Sequence, residues 1–353
     1  MNTPVITAVT AWVPDTIPLS QCTAMGSSLR ATSHPGWDAW ARSWHPDYGH
    51  WLEACPGNET TGSPPVHSGQ VTPDMTCMVP VETGTDLSGL AIKVANGICS
   101  VRPPGARPVD IVMFCHSTPD EHVSTSVAGR LCAEVGPPCF AFSVSQQHGA
   151  SPFTALRLAS DLLIAEPDVH TILIVAAEKW YPPFSRICGP GIAHGDAAGA
   201  LLVERANEET DGLQLLDAAA RRAPANIGRS TAGIPDARTI TLLSMIDFFL
   251  ARHGLSHGEI EEVVGQPGDP SLTDVVCDLL NRPKDTIRHQ SWVHLGAAES
   301  IVRLAQALDC TACCKTYRML LWGFGIGGFL GAALLATHSP SSPFQQDDIR
   351  PFS

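Results

Sequence analysis

Positive charge is scarce in this chain: Lys and Arg number 22 against 35 Asp and Glu, a formal net charge of −13. No Lys/Arg cluster occurs anywhere, so the basic face that phosphate neutralisation needs is missing and nucleic-acid binding is excluded. Charge of either sign is sparse, at 16% of residues, while 44% are hydrophobic, which excludes a disordered chain. Met1 to Asp15 lacks a charged n-region before its apolar residues, so no secretory signal is expected and the protein is read as cytoplasmic. In that compartment the 12 cysteines are expected to be mostly reduced and buried, and the sequon Asn58-Glu59-Thr60 inert. An unbroken membrane-length apolar run is also lacking. Met319 to His338 is nearly uncharged, but Gly323, Gly325, Gly327, Gly328 and Gly331 divide it into two buried strands around a glycine turn.

What is present is core. A length of 353 residues exceeds one average domain and favours two domains or one large duplicated unit. Residues 1–105 carry loop-like runs at Gly57 to Ser68 and, just beyond, at Arg102 to Arg107. From Pro108 the pattern sharpens into a buried strand at Val109 to Cys115, a helix at Val123 to Val135, a strand at Cys139 to Ser145, a helix after Ser151 and an apolar strand at Thr171 to Ala177. Such alternation predicts an α/β protein with a largely parallel sheet. Ser151 can cap its helix and Pro152 suits the first helical position, while Ala155, Leu156, Ala159, Leu162 and Leu163 form one apolar stripe. A shift of 146 residues lays His148 on His294, Arg157-Leu158-Ala159 on Arg303-Leu304-Ala305, and Thr171 to Glu178 on Tyr317 to Phe324. Two similar halves related by a pseudo-two-fold, with a ligand cleft between them, are therefore expected.

Four stretches share an order and spacing. Ala141-Phe142-Ser143-Val144 followed by Gly149-Ala150-Ser151 resembles the strand and nucleophile turn of the thiolase-like superfamily, in its β-ketoacyl-acyl-carrier-protein synthase III branch. Ala193-His194-Gly195-Asp196-Ala197-Ala198-Gly199-Ala200 resembles the G-D-G-A-G-A segment, His294-Leu295-Gly296-Ala297-Ala298 the second-half catalytic turn, and Gly323-Phe324-Gly325-Ile326-Gly327-Gly328 the carboxy-terminal glycine turn. The resemblance covers roughly residues 108–338. It implies a thiolase-like αβαβα fold of two pseudo-symmetric halves, each with a mixed sheet between helices. The halves are placed at 1–190 (nucleophile turn) and 191–338 (His294), with 339–353 as a flexible tail. A homodimer, or a heterodimer with a related synthase, is also implied.

Members of that family use a Cys nucleophile at a helix amino terminus with a His and an Asn from the second half, and this chain departs at each place. Counting back from the helix at Leu156 puts Gly149 at the Cys position, and counting forward from Ala141 puts His148 there; the helix-side count is preferred, with His148 beside it. Gln266 stands at the His position and His294 at the Asn position. A Cys at 149 replaced by Gly is a further reading. Gly149 cannot form a thioester, but its amide and one from the glycine turn, Gly327, can form an oxyanion hole, with His294 or His148 as general base. The implied activity is acyl transfer from a CoA or carrier-protein phosphopantetheine thioester to a small acceptor in specialised metabolism, without a Cys acyl-enzyme. The alternatives are a non-catalytic partner subunit or a malonyl-type thioester decarboxylase. No tightly bound cofactor is expected, and docking an acidic carrier protein would need a local basic patch. No metal site is expected, since Cys310, Cys313 and Cys314 have no second cysteine pair and are read as buried thiols. Gln266 is read as structural or substrate-orienting, Gly195-Asp196 as a structural turn, and His116, Asp120 and His122 as solvated loop residues.

Overall fold

The structure, a computed structural model, describes residues 3–22, 76–119, 126–136, 140–181, 186–188, 192–207, 210–224, 237–266, 270–282, 293–310, 317–325 and 327–338. Asn58, Asp120, His122, Cys139, Cys313, Cys314 and the 339–353 tail lie outside the described residues. The apolar runs become strands with both faces covered. In the first half these are β1 (Pro4–Trp12), β4 (Ile111–His116), β5 (Phe140–Ser145), β6 (Thr171–Glu178) and β9 (Ala197–Arg205). In the second they are β10 (Gly212–Arg222), β11 (Glu262–Val264), β13 (Arg318–Gly325) and β14 (Phe329–His338). Short pieces complete the set: β2 (Thr16–Pro18), β3 (Met78–Pro80), β7 (Ile187–Cys188), β8 (Ile192–His194) and β12 (Val293–His294).

Nine strands form one sheet in the order β11-β13-β14-β10-β1-β9-β6-β4-β5, so β9 completes the first half-sheet and β10 opens the second. Within it β4-β6-β9-β1 and β11-β13-β14-β10 repeat the same order, and the halves meet through the short ladder of Val5 with Gln214 and Ile6 with Leu213. The sheet is mixed rather than largely parallel. Only β4–β5, β4–β6 and β11–β13 run parallel. Helical crossovers make parallel neighbours, but β13 returns directly into β14 through Gly327 and Gly328, both at φ 80°, and such a tight turn can only give an antiparallel pair.

The helices are α1 (Leu87–Val101), α2 (Val127–Val135), α3 (Ser151–Ala165), α4 (Ala237–Arg252), α5 (Pro270–Leu279) and α6 (Glu299–Cys310). Alternate strand residues divide among three layers of core. Val112, Phe114, Leu173 and Val175 pack on α1 and α2. Met113, Cys115, Ile172, Ile174, Met319 and Leu321 pack on Phe153, Leu156, Ile301 and Leu304 of α3 and α6. Leu320, Trp322, Leu330 and Leu334 pack on α4 and α5. Helices α3 and α6 are thus enclosed between the half-sheets, giving the expected αβαβα layering.

Reciprocal glycines seat these two helices. A Cβ at Gly331 in β14 would lie 2.1 Å from Phe153 of α3, and one at Gly199 in β9 would lie 2.7 Å from Ile301 of α6. Phe153 and Ile301, Leu156 and Leu304, and the helix starts Ser151 and Glu299 all superpose with a shift of 148. The helical register is therefore two residues from the 146 suggested by identities, and His148 is the counterpart of Gly296, not of His294. Backbone conformation agrees: His148 has φ 51° and Gly296 φ 59°. The cysteines differ in part from expectation, since Cys22, Cys77, Cys99, Cys115 and Cys277 are free thiols but Cys132 is disulfide-bonded. No described helix is long and apolar enough to cross a membrane.

Candidate active site

The site forms where β5, β8, β12 and β13 end against the start of α3. After Ser145 the chain turns through Gln146 (φ 65°) and His148 (φ 51°) into a 3-10 turn, His148–Ala150, that leads directly into α3. Left-handed backbone at two side-chain-bearing residues is costly and is held here by surrounding contacts. Ser151 does not cap α3 as expected; its Oγ donates to the His148 carbonyl at 2.6 Å, and Thr154 Oγ1 donates to Gln147 Oε1 at 2.5 Å. Across the turn lies β13. A Cβ at Gly149 would stand 2.3 Å from the Phe324 carbonyl oxygen, and one at Gly325 would stand 2.1 Å from the Gln147 carbonyl oxygen. Glycine at both positions lets the two backbones approach.

Two short parallel strands deliver the other imidazoles. Strand β12 pairs with β8 so that His294 stands opposite His194. The ring centroids of His148 lie 4.4 Å from His294 and 5.1 Å from His194, and the latter two are 5.5 Å apart. All three side chains are buried. Trp180 stacks on His194 at 4.2 Å, and Phe324 meets His294 edge-on at 5.2 Å. Burial, then the neighbouring imidazoles, holds His148 well below the usual histidine range; burial, then His294 and Arg186, does the same for His194. Both are neutral at pH 7.

Carboxylates fix the surroundings. Glu299, at the start of α6, lies 3.0 Å from His294 Nδ1 and accepts from the Leu295 amide and Gln266 Nε2, each at 3.0 Å. Burial pushes its carboxyl up, but His294, Arg303 and the Leu295 amide together hold it below the usual range. Gln266 accepts from the Phe324 amide at 2.6 Å and places its Nε2 against His294 Nε2. Glu178, at the end of β6, accepts from the Thr118 amide and hydroxyl and from the Ala297 amide, and burial raises its carboxyl. Asp196 is fully buried, paired with Arg186 at 2.7 Å, and accepts from the Trp180 and Glu82 amides. Through these bonds it braces β8 and the Trp180 backbone beside His194.

Among the residues singled out from sequence, His148, Gly149, Gln266 and His294 come together. Gly327 does not join them; it is exposed, and its carbonyl accepts from Arg222 Nε at 3.1 Å. Half-buried His116 stacks on Phe114 and bonds the Thr118 carbonyl. Sequence reasoning missed His194, Trp180, Glu178 and Glu299 as site residues. The available signal was that three of the four motif-bearing stretches carry a histidine where the chain turns.

Five α/β/α/β/α layers with two central helices enclosed between the half-sheets define the thiolase-like fold. No protein-family model and no curated protein matches the chain, whereas solved structures of that fold do. The acyltransferase ChlB3 is 19% identical with a TM-score of 0.66, covering 94% of this chain and 97% of its own. The 3-oxoacyl-(acyl carrier protein) synthase III FabH of Pseudomonas aeruginosa is 18% identical, with a TM-score of 0.63 and coverage of 94% and 98%. Acetamide-bound OleA of Xanthomonas campestris is 12% identical, with a TM-score of 0.64 and coverage of 94% and 98%.

Proposed function

We propose that the protein is a ketosynthase III-like acyltransferase that moves an acyl group from a CoA or carrier-protein phosphopantetheine thioester to a small acceptor in specialised metabolism, without a Cys acyl-enzyme. One observation carries this reading: the turn at the start of α3 presents a buried imidazole and no thiol, with a second and third imidazole in contact with it. Burial also raises the thiols of Cys22, Cys99 and Cys115, making them poor nucleophiles near neutrality. The carbonyl of a bound thioester would lie against the Gly149 turn, at the positive end of α3, where backbone donors favour developing negative charge. Gly327 would supply the second donor only if the glycine turn moved inward.

A neutral imidazole can take the proton of an attacking hydroxyl or amine. His294 is the preferred base because Glu299 at its Nδ1 would stabilise the imidazolium that forms, and Gln266 orients its ring. We infer a cytoplasmic homodimer, or a heterodimer with a related synthase, using no tightly bound organic cofactor.

The test is incubation of purified protein with acyl-CoA and acyl-carrier thioesters, with and without amine and alcohol acceptors, followed by mass spectrometry. Acyl product without a protein adduct is expected, with about 10²-fold or greater loss in His294→Ala, the lower end of general-base effects. Carbon dioxide from malonyl thioesters would favour the decarboxylase. No turnover with any substrate would favour a non-catalytic partner subunit.

A further inference from the structure

His148, His194 and His294 each direct one ring nitrogen into a common space, and those three atoms all lie within 4.8 Å of one another. We propose that these three histidines form a binding site for one divalent transition-metal ion of the zinc class. Three imidazole nitrogen donors suit zinc, cobalt or nickel rather than calcium or magnesium, which take oxygen. Bonds of about 2.0–2.1 Å to one ion would draw the nitrogens to roughly 3.3 Å apart, a closure within reach of modest ring rotations.

The surroundings are those of a ligand set. Glu299 faces His294 Nδ1 at 3.0 Å, the carboxylate–histidine arrangement that orients a ligand ring, while Gln266 Nε2 lies against His294 Nε2 and its amide would swing aside for that nitrogen to bind a metal. Trp180 holds the His194 ring by stacking, and the three donors come from three segments that the fold already fixes: the 3-10 turn, β8 and β12. No carboxylate or thiol joins the three as a donor among the described residues, so a bound ion would keep net positive charge and a fourth position for water or a carbonyl oxygen.

This site goes beyond the acyl-transfer reading and does not depend on it. With an ion bound, the three histidines would serve as its ligands rather than as bases, and the ion would supply Lewis-acid polarisation of a carbonyl. Metal binding and turnover are therefore measured separately.

The experiment is titration of chelator-treated full-length protein with Co²⁺, following the ligand-field absorption of a four-coordinate site with three nitrogen donors, beside elemental analysis of the protein as purified. One equivalent per chain with tetrahedral bands is expected. His148→Gln, His194→Gln and His294→Gln, each checked for folding by circular dichroism, should lose the bands, and His257→Gln, at a half-exposed position outside the cluster, should keep them. A second readout needs no variant: Zn²⁺ should raise the melting temperature of the wild type and a chelator reverse it. Absence of the bands and of the thermal shift overturns the proposal, as does Co²⁺ binding that survives all three substitutions. Acyl transfer by metal-free protein with no Co²⁺ binding would sink the metal site and leave the function standing. Co²⁺ bound through the three histidines with no acyl transfer would do the reverse.

Discussion

Two cysteine substitutions distinguish the positions at which a nucleophile can stand in this turn. Gly149→Cys would place its Cβ 2.3 Å from the Phe324 carbonyl oxygen, 3.1 Å from Gln266 Oε1 and 3.2 Å from His294 Cε1. The closest of these atoms is β13 backbone, so it cannot swing aside as a side chain would; β13 or the start of α3 must shift by about 1 Å, an overpacking that costs about 1–3 kcal/mol. At about 2–4 °C per kcal/mol for a chain of 150–250 residues, and less for a longer one, the melting temperature should fall by several degrees. His148→Cys meets no such obstacle. Its backbone is already left-handed, at φ 51°, and its Cβ exists in the wild type. A thiol there would sit at the positive end of α3 with the His294 imidazole in contact to take its proton. The assay is intact-mass spectrometry after exposure to acyl-CoA, with a thermal melt of each variant. His148→Cys should gain one acyl group, while the wild type and Gly149→Cys should gain none. The reasoning fails if Gly149→Cys melts with the wild type and is acylated while His148→Cys is not.

Arg186→Ala should destabilise the protein by about 3–5 kcal/mol in urea unfolding, because it strips the guanidinium from fully buried Asp196; a loss under about 1 kcal/mol would remove Asp196 as the brace of β8. Phe153→Ala should cost about 3–5 kcal/mol, since that ring fills the slot at Gly331, and a near-neutral result would mean α3 is not seated as described. Burial lowers the pKa of both His148 and His194, so below about 6.5 the unfolded chain binds more protons than the folded one. Stability should then fall as pH drops through that value, by up to about 1.4 kcal/mol per pH unit for each imidazole. Comparison with a His148→Gln/His194→Gln double variant isolates the effect, because Glu178, raised by burial and therefore opposite in sign, is common to both; equal pH slopes would refute it.

The sheet was legible because its strands are buried on both faces, and runs such as Ile111 to Cys115 and Leu330 to Leu335 are apolar without alternation. Strand direction was not legible, since parallel and antiparallel neighbours of a doubly covered sheet carry the same residues. His148, Gln266 and His294 were found through motif position. His194 was missed because its segment reads as a Gly-Asp turn, and what brings it inward is a ladder of β8 with a two-residue strand, too short for any periodicity. The register error has a similar origin. Matching Arg157-Leu158-Ala159 to Arg303-Leu304-Ala305 aligns identities, whereas the seating of Phe153 and Ile301 against reciprocal glycines decides where the helices lie.

Those reciprocal contacts also explain why the chemistry is concentrated on one side of a nearly symmetric scaffold. Each half drives the end of a central strand against the turn that starts the other half's enclosed helix: Phe324 at the end of β13 against Gly149, and Glu178 at the end of β6 against Gly296. In the second contact a side chain bridges the gap, the Glu178 carboxylate accepting from the Ala297 amide and both donors of Thr118, so that junction is filled and hydrogen-bonded. In the first the strand contributes only backbone, and the turn residue equivalent to Gly296 is His148. Its imidazole enters the space that β8 and β12 line with His194 and His294. One junction therefore staples the halves together, while the other gathers three imidazoles at a helix amino terminus. Exchanging the roles would require a bridging side chain at Gly325, the last residue of β13 as Glu178 is of β6, where a Cβ would stand 2.1 Å from the Gln147 carbonyl oxygen.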